Sequence, residues 1–307
     1  MESLVLGFIY MTVVIAGGSG FIGTHITQKL LALGDTIIVI DVVPPRFTHE
    51  RLYYIQCDIA SQKLPFNVLE QTDAVINLVG KSISGKWNEK LKSEIRDSRI
   101  NATQHIVESM RAATNRPTIL INASAAGYYG ERNDEELTEQ SSEGRGFLAG
   151  VVSNWEAEAH RAEEFGTRVV CIRTAPVIGH GGMIADIKRS ARFGFTSYLS
   201  KRDFWQPWIH EDDIVNAYIF ALQTSTLQGA VNAVAPEFIT HHTLMKTFGK
   251  AAHRRIFGTV PPRIGKFLFG EFLGEITKSQ KVIPQRLLDK GFVFQYTHLT
   301  DAMQNVL

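Results

Sequence analysis

Six short β-branched runs, each apolar on both faces, alternate with segments of helical period through residue 174, and that alternation leaves few folds open. The runs are TVVIA (12–16), TIIVID (36–41), YYIQCD (53–58), AVINLVG (74–80), TILINAS (118–124) and RVVCIRT (168–174). Helices are predicted between them over 22–33, 89–113 and 147–165. A strand apolar on both faces must be covered on both, and strands joined through helices run parallel. The pattern therefore predicts an α/β protein with a doubly wound parallel sheet of the Rossmann kind. After Thr174 the rhythm breaks into Gly-rich and aromatic segments, then helices and the strand-like AVNAVAP (230–236).

The first strand runs straight into GGSGFIGT (17–24). Gly17, Gly20 and Gly23 are three residues apart, and Gly18 completes G-x-G-x-x-G. Without Cβ atoms at these places, a pyrophosphate can approach the backbone N–H groups and the helix that opens with Phe21 and Ile22. A plain strand-to-helix turn accepts the same glycines, so the next acids matter. Asp41 ends the second strand, where a carboxylate accepts hydrogen bonds from ribose hydroxyls and repels a 2′-phosphate. Asp58 closes the third strand, within reach of an adenine amino group. Together these predict a dinucleotide site, NAD or NADP, with NAD favoured by Asp41. Arg46, five residues further on, is within reach of a phosphate. The expected division is a dinucleotide-binding domain over 11–174 and a mainly substrate-binding lobe over 175–307, some of whose segments are free to return to the sheet.

Charge and cysteine content exclude several classes. With 32 Lys and Arg against 31 Asp and Glu the net charge is +1, so no global field draws in nucleic acid or an anionic membrane. KAAHRR (250–255) reads as a solvated helix face. Cys57 and Cys171, both in apolar runs, read as reduced buried thiols of a cytoplasmic protein. MESLVLGFIY (1–10) lacks a basic region and a cleavage site, and the apolar run after it falls short of the ~20 residues of a membrane span. With Met11 just before TVVIA, residues 1–10 read as an upstream start or a disordered lead. His241, His242 and His253 lack metal-ligand spacing, so no metal is expected, and no G-x-S-x-G esterase elbow occurs.

GGSGFIG, Asp41, Asp58, NLVG (77–80) and SAAGYYG (124–130) resemble the extended short-chain dehydrogenase/reductase superfamily. KWNEKLKSEIRDSRINATQHIV (86–107), WEAEA (155–159), PVIGHGGM (176–183), PWIHEDDIV (207–215) and SQKVIPQRLLDKGFVFQY (279–296) narrow the likeness to its atypical epimerase-like family. Members of that family are labelled NAD(P)-dependent epimerases or oxidoreductases, and some carry a cell-division-inhibitor name. The resemblance covers almost the whole chain from Met11. It implies that Asn77, Val79 and Gly80 at the end of the fourth strand, and Ser124 at the end of the fifth, lie beside the nicotinamide. Asn77 is expected to position backbone. Ser124 would hydrogen-bond a substrate carbonyl or hydroxyl.

Ordinary members of the superfamily carry Tyr-x-x-x-Lys on the helix after the serine strand, the tyrosine moving a proton and the lysine lowering its pKa. Here that helix reads FLAGVVSNWEAEAH (147–160), and the two stations fall near Val151 and Trp155. Neither transfers a proton. Tyr128 and Tyr129 follow Ser124 within one loop and would fill the phenol's space, Tyr129 first; the alternative is that both are wall residues. His210, titrating near neutrality, is a candidate acid or base or else a structural histidine, with Asp212 or Asp213 capping a helix over 214–222. The catalytic candidates are thus Ser124, Tyr129, Tyr128 and His210. On the long helix after the fourth strand, Lys92, Ile95 and Arg99 can share a face near Ser98. Arg99 reads as exposed or salt-bridged, with anion binding as the second reading. Two functional classes follow. One is an enzyme moving hydride between nicotinamide and a carbonyl or carbinol carbon, of a nucleotide sugar for instance. The other is a cofactor-binding sensor that has lost its catalytic pair. The expected partner is a small-molecule substrate, not nucleic acid or membrane, with room for a homodimer.

Overall fold

In the computed structural model, residues 10–182, 184–185, 187–188 and 197–307 are described. The lead proposed for residues 1–10 lies, apart from Tyr10, outside them. Seven parallel strands form the central sheet: β1 (Thr12–Ala16), β2 (Thr36–Asp41), β3 (Leu52–Gln56), β4 (Ala74–Asn77), β5 (Ile119–Ala125), β6 (Arg168–Thr174) and β7 (Gly229–Ala233). Their order is β7-β6-β5-β4-β1-β2-β3. The main helices are α1 (Phe21–Leu33), α2 (Glu89–Ala112), α3 (Phe147–His160), α4 (Glu211–Gln223) and α5 (His241–Ala251).

Side chains alternate across a strand, so each strand feeds two cores. Val13 and Ile15 of β1 join Ile26 and Leu30 of α1 and Ile214 and Ala217 of α4 on one face. Val14 and Ala16 join Ile106 and Met110 of α2 and Ala159 of α3 on the other. This double coverage is why the runs read as continuously apolar. Cys57 and Cys171 are free thiols, both buried in the second core.

Two of the predicted runs are shorter as strands, for a physical reason. AVINLVG stops pairing at Asn77, whose side-chain Oδ1 accepts from Val79 N at 3.1 Å and turns the chain out of the ladder. YYIQCD ends at Gln56, after which Asp58 closes a turn by accepting from Ala60 N and Ser61 Oγ.

The chain beyond Thr174 returns to the sheet. β7 adds to the β6 edge, and α4 packs beside α1. A separate core of Trp208, Leu244, Met245, Phe248, Leu299 and Met303 builds the second lobe. Buried Asp213 ties the lobe's final segment to α4, its carboxylate accepting from Gln295 N at 2.7 Å and Tyr296 N at 3.0 Å.

His241, at the start of α5, is buried against the ring of Phe204, hydrogen-bonds Gln206 Oε1 at 2.8 Å and accepts from Leu199 N at 3.1 Å. Burial pushes its imidazole from 6.5 down to about 4. The folded chain therefore resists a proton that the unfolded chain accepts. Its contribution is intact above pH 6.5 and is lost as the pH falls toward 4, worth about 3 kcal/mol. Urea unfolding of the protein and of His241→Leu at neutral and acidic pH should show a flatter pH dependence for the variant. Identical slopes would contradict this origin.

Candidate functional site

The strand order reverses between β1 and β4, so the loops leaving these strands diverge and open a crevice at the carboxyl edge of the sheet. The glycines shape it in different ways. Gly17 adopts φ +76°, and a Cβ there would lie 3.0 Å from the Leu78 carbonyl carbon, so only glycine lets the two loops approach. At Gly23 a Cβ would stand 2.6 Å from Gly17 O and 2.7 Å from Gly18 Cα, which makes this residue the contact between helix and turn. Gly20 differs. Its Cβ would meet only Gly17 O, at 3.3 Å, a single tight contact that a shift of a few tenths of an ångström relieves.

Gly20 is also the N-cap of α1, which has no side-chain cap and no acid in its first turn. By contrast α2 begins with Asn88 accepting from Leu91 N and with Glu89 in its first turn. An uncapped N-terminus carries roughly half a positive charge, and the N–H groups around Phe21 and Ile22 are suited to an anion. Asp41 stands beside this turn, accepting from Ser19 N at 3.1 Å and Val42 N at 2.7 Å. Asp58 is exposed at the end of β3, and Arg46 is exposed in the loop after β2. The open Gly20 face, the bare helix end and the acid on β2 fit the diphosphate and ribose of a dinucleotide.

Beside the start of α1 lies a cavity of about 270 Å³. Ile22, Val79, Gly80, Arg99, Ser124, Val151, Trp155 and Tyr218 are among the residues that line it. Buried Asn77 braces the floor by donating to Thr103 Oγ1 at 2.9 Å and Asn122 Oδ1 at 2.7 Å. Trp155 Nε1 donates to the same Thr103 hydroxyl at 2.8 Å. The loop through His180 packs on the starts of α1 and α4: a Cβ on Gly181 would lie 2.8 Å from the Phe21 ring, and Glu211 accepts from the His180 backbone at 2.9 Å and pairs with its ring.

A sequence profile described as the NAD dependent epimerase/dehydratase family matches residues 13–233. The chain belongs to this family. A second profile, a domain of unknown function (DUF1731), matches residues 260–306. The epimerase family protein SDR39U1 homolog, chloroplastic, of Arabidopsis thaliana is 32% identical over 304 residues, covering 97% of this chain and 87% of that protein. The crystal structure of human epimerase family protein SDR39U1 with NADPH is 29% identical, with a TM-score of 0.85, covering 96% of this chain and 99% of that one. A nucleoside-diphosphate sugar epimerase from Corynebacterium glutamicum is similar at 28% identity and a TM-score of 0.74, over 96% of this chain and 57% of that one.

Within this epimerase family fold, three of the catalytic candidates stand away from the cavity wall. Tyr129 is fully buried, and its hydroxyl accepts from Arg173 Nη1 at 3.0 Å while Asn232 Oδ1 and the Thr138 carbonyl compete for its proton at 2.7 and 3.0 Å. Burial raises this phenol to about 12. The phenol expected first as a proton donor in the cleft is thus held in a buried network and does not line the cavity. Tyr128 lies with its ring 3.5 Å from the Arg173 guanidinium carbon, so it serves as that cation's platform. His210 is fully buried, its Nδ1 accepting from Asp212 N at 3.1 Å and its Nε2 meeting Asn305 Oδ1 at 3.1 Å. It is the N-cap of α4, the role expected of Asp212 or Asp213. Burial holds its pKa below the usual value.

Ser124 does wall the cavity, with a partner the sequence did not reveal. Its hydroxyl donates to Glu156 Oε1 at 2.5 Å, and Glu156 is gripped by Arg173 through 2.8 and 2.7 Å bonds. All three are buried. Nothing in WEAEA marked Glu156 as an inward-facing acid, because the helical pattern gives an acid beside a buried tryptophan no special sign. Tyr218 was missed for the opposite reason: it sits in a helix face that reads simply as core. Its phenol is held above the ordinary tyrosine range by burial.

Proposed function

We propose that this chain is an NAD(P)-dependent oxidoreductase or epimerase acting at a carbonyl or carbinol carbon, nucleotide sugars being one substrate class to test. One observation carries the reading: Ile22 from the first turn of α1 and Val79 and Gly80 after β4 line the same cavity as Ser124, so the helix that opens at the glycine turn stands in its wall. The NADPH named with the human relative supports a reduced nicotinamide nucleotide as the cofactor. When bound, the cofactor supplies or takes the hydride. Asp41 would face the ribose hydroxyls and favour NAD, with Arg46, exposed in the loop after β2, as the candidate to hold a 2′-phosphate. Because the Ser124 proton points to Glu156, the lone pairs of its hydroxyl are left for the cavity, where they accept a hydrogen bond from a substrate hydroxyl. Glu156 and Arg173 keep the serine in that orientation.

A second reading, a cofactor-binding sensor, draws on Val151 and Trp155, which wall the cavity at the two stations where a proton-transferring pair would stand. Purified protein mixed with NADPH or NADH and a panel of carbonyl compounds and nucleotide sugars separates the two. Loss of reduced-nicotinamide absorbance with one substrate class supports the enzyme. Tight nucleotide binding with no turnover across the panel supports the sensor, and no nucleotide binding removes both.

A further inference from the structure

The sequence leaves Arg99 as exposed or salt-bridged, and the structure gives neither. It is half-buried in the cavity wall and makes no ion pair among the described residues, whereas Lys92, two turns earlier on α2, pairs with Glu89 and Glu271. Its Nη1 is fixed by the carbonyls of Lys81 at 3.0 Å and Ile95 at 2.9 Å. The guanidinium carbon sits 5.3 Å from the centre of the Trp155 ring, which braces one side of the plane. On another side stands Gly80, where a Cβ would come within 3.1 Å of that carbon and 3.2 Å of Nη2, so any larger residue would crowd the group. Nε and Nη2 have no protein acceptor among the described residues. A cation drawn into an apolar cavity without a counter-charge is costly unless an anion joins it. The pKa of the group is lowered by this burial to about 10, the direction expected of an uncompensated charge.

We infer that the free Nε–Nη2 edge of Arg99 is a carboxylate site, so that the ligand taken up beside Ser124 is a carbonyl or hydroxy compound carrying a carboxylate. The inference rests on the proposed nicotinamide cofactor occupying the adjoining crevice. A planar fork of two N–H groups matches a carboxylate in two parallel bonds. Ser124 would then accept from a hydroxyl on the same ligand. Trp155 thus stands where a lysine is expected and positions an arginine brought in from α2.

The test uses NADPH-saturated protein titrated calorimetrically with 2-hydroxybutanoate and with its neutral amide, 2-hydroxybutanamide, whose hydroxyl can donate to Ser124 and which the reduced cofactor leaves unreacted. The acid should bind roughly ten- to hundredfold more tightly. Arg99→Met should abolish that preference while leaving NADPH affinity within about threefold, a small change on the logarithmic scale of affinity. Arg99→Lys, which keeps the charge and loses the fork, should retain part of it, guarding against a variant that merely misfolds. Equal binding of acid and amide, or no binding of either, would overturn the inference. So would a loss of NADPH affinity in Arg99→Met as large as the loss for the acid, which would assign the edge to the cofactor's own diphosphate. NADPH titrated alone reports separately on the cofactor reading.

Discussion

Gly20→Val is expected to lower NADPH affinity at least about a hundredfold while the fold survives, a loss of nearly 3 kcal/mol in binding. The asymmetry comes from the geometry of the turn. Gly20 has φ −70° and ψ 177°, an extended conformation open to any residue, and its Cβ would meet protein only at Gly17 O, 3.3 Å away. The added side chain therefore projects into the space assigned to the diphosphate. Gly23→Ala makes the contrasting control, because its Cβ would strike Gly17 O at 2.6 Å. That variant should lose about 1–3 kcal/mol of stability through overpacking. Calorimetry for affinity and urea unfolding for stability would read both. Unchanged affinity in Gly20→Val would show that the open face serves something other than phosphate.

Arg173→Met is expected to be the most damaging single change near the cavity, at about 3–5 kcal/mol, because it strands the buried Glu156 carboxylate. The pair is closed on all sides: Glu156 also accepts the Ser124 hydroxyl, and Arg173 lies on Tyr128 and donates to Tyr129. The double variant Glu156→Leu/Arg173→Met should regain much of the loss, since neither charge then remains unpaired. Urea unfolding of the two single variants and the double variant measures this coupling. A single-variant cost below about 1 kcal/mol, the range of an exposed pair, would mean that the ion pair is far better solvated than its burial indicates.

The sheet was legible in the sequence because its signal is local. Strands covered on both faces are continuous apolar runs, and all six predicted ones coincide with β1 to β6 to within three residues at either end. The glycine turn was legible too, since Gly17 and Gly23 answer to backbone geometry that only glycine satisfies.

Side-chain chemistry around Ser124 was not legible. Tyr129 and His210 drew attention as titratable residues near motifs, yet burial and satisfied hydrogen bonds set their roles, and both depend on residues far away in sequence, Asn232 and Asn305. Glu156 and Arg173 are seventeen residues apart on a helix and a strand, and only the register of β6 against β5 brings Arg173 opposite Ser124. For Arg99, sequence could supply a helix face. It could not supply the absence of a counter-charge among the described residues.

The account stands on a dinucleotide lying across the β1–β4 crevice with its nicotinamide in the Ser124 cavity. Nuclear Overhauser contacts from the nicotinamide ring protons of bound NADPH to methyl-labelled valines test this directly, because they report only near-contact distances. Contacts to the methyl groups of Val151 and Val79, with the Val151 contact missing in Val151→Ala, are the predicted result. Bound NADPH showing no contact to either valine would contradict it.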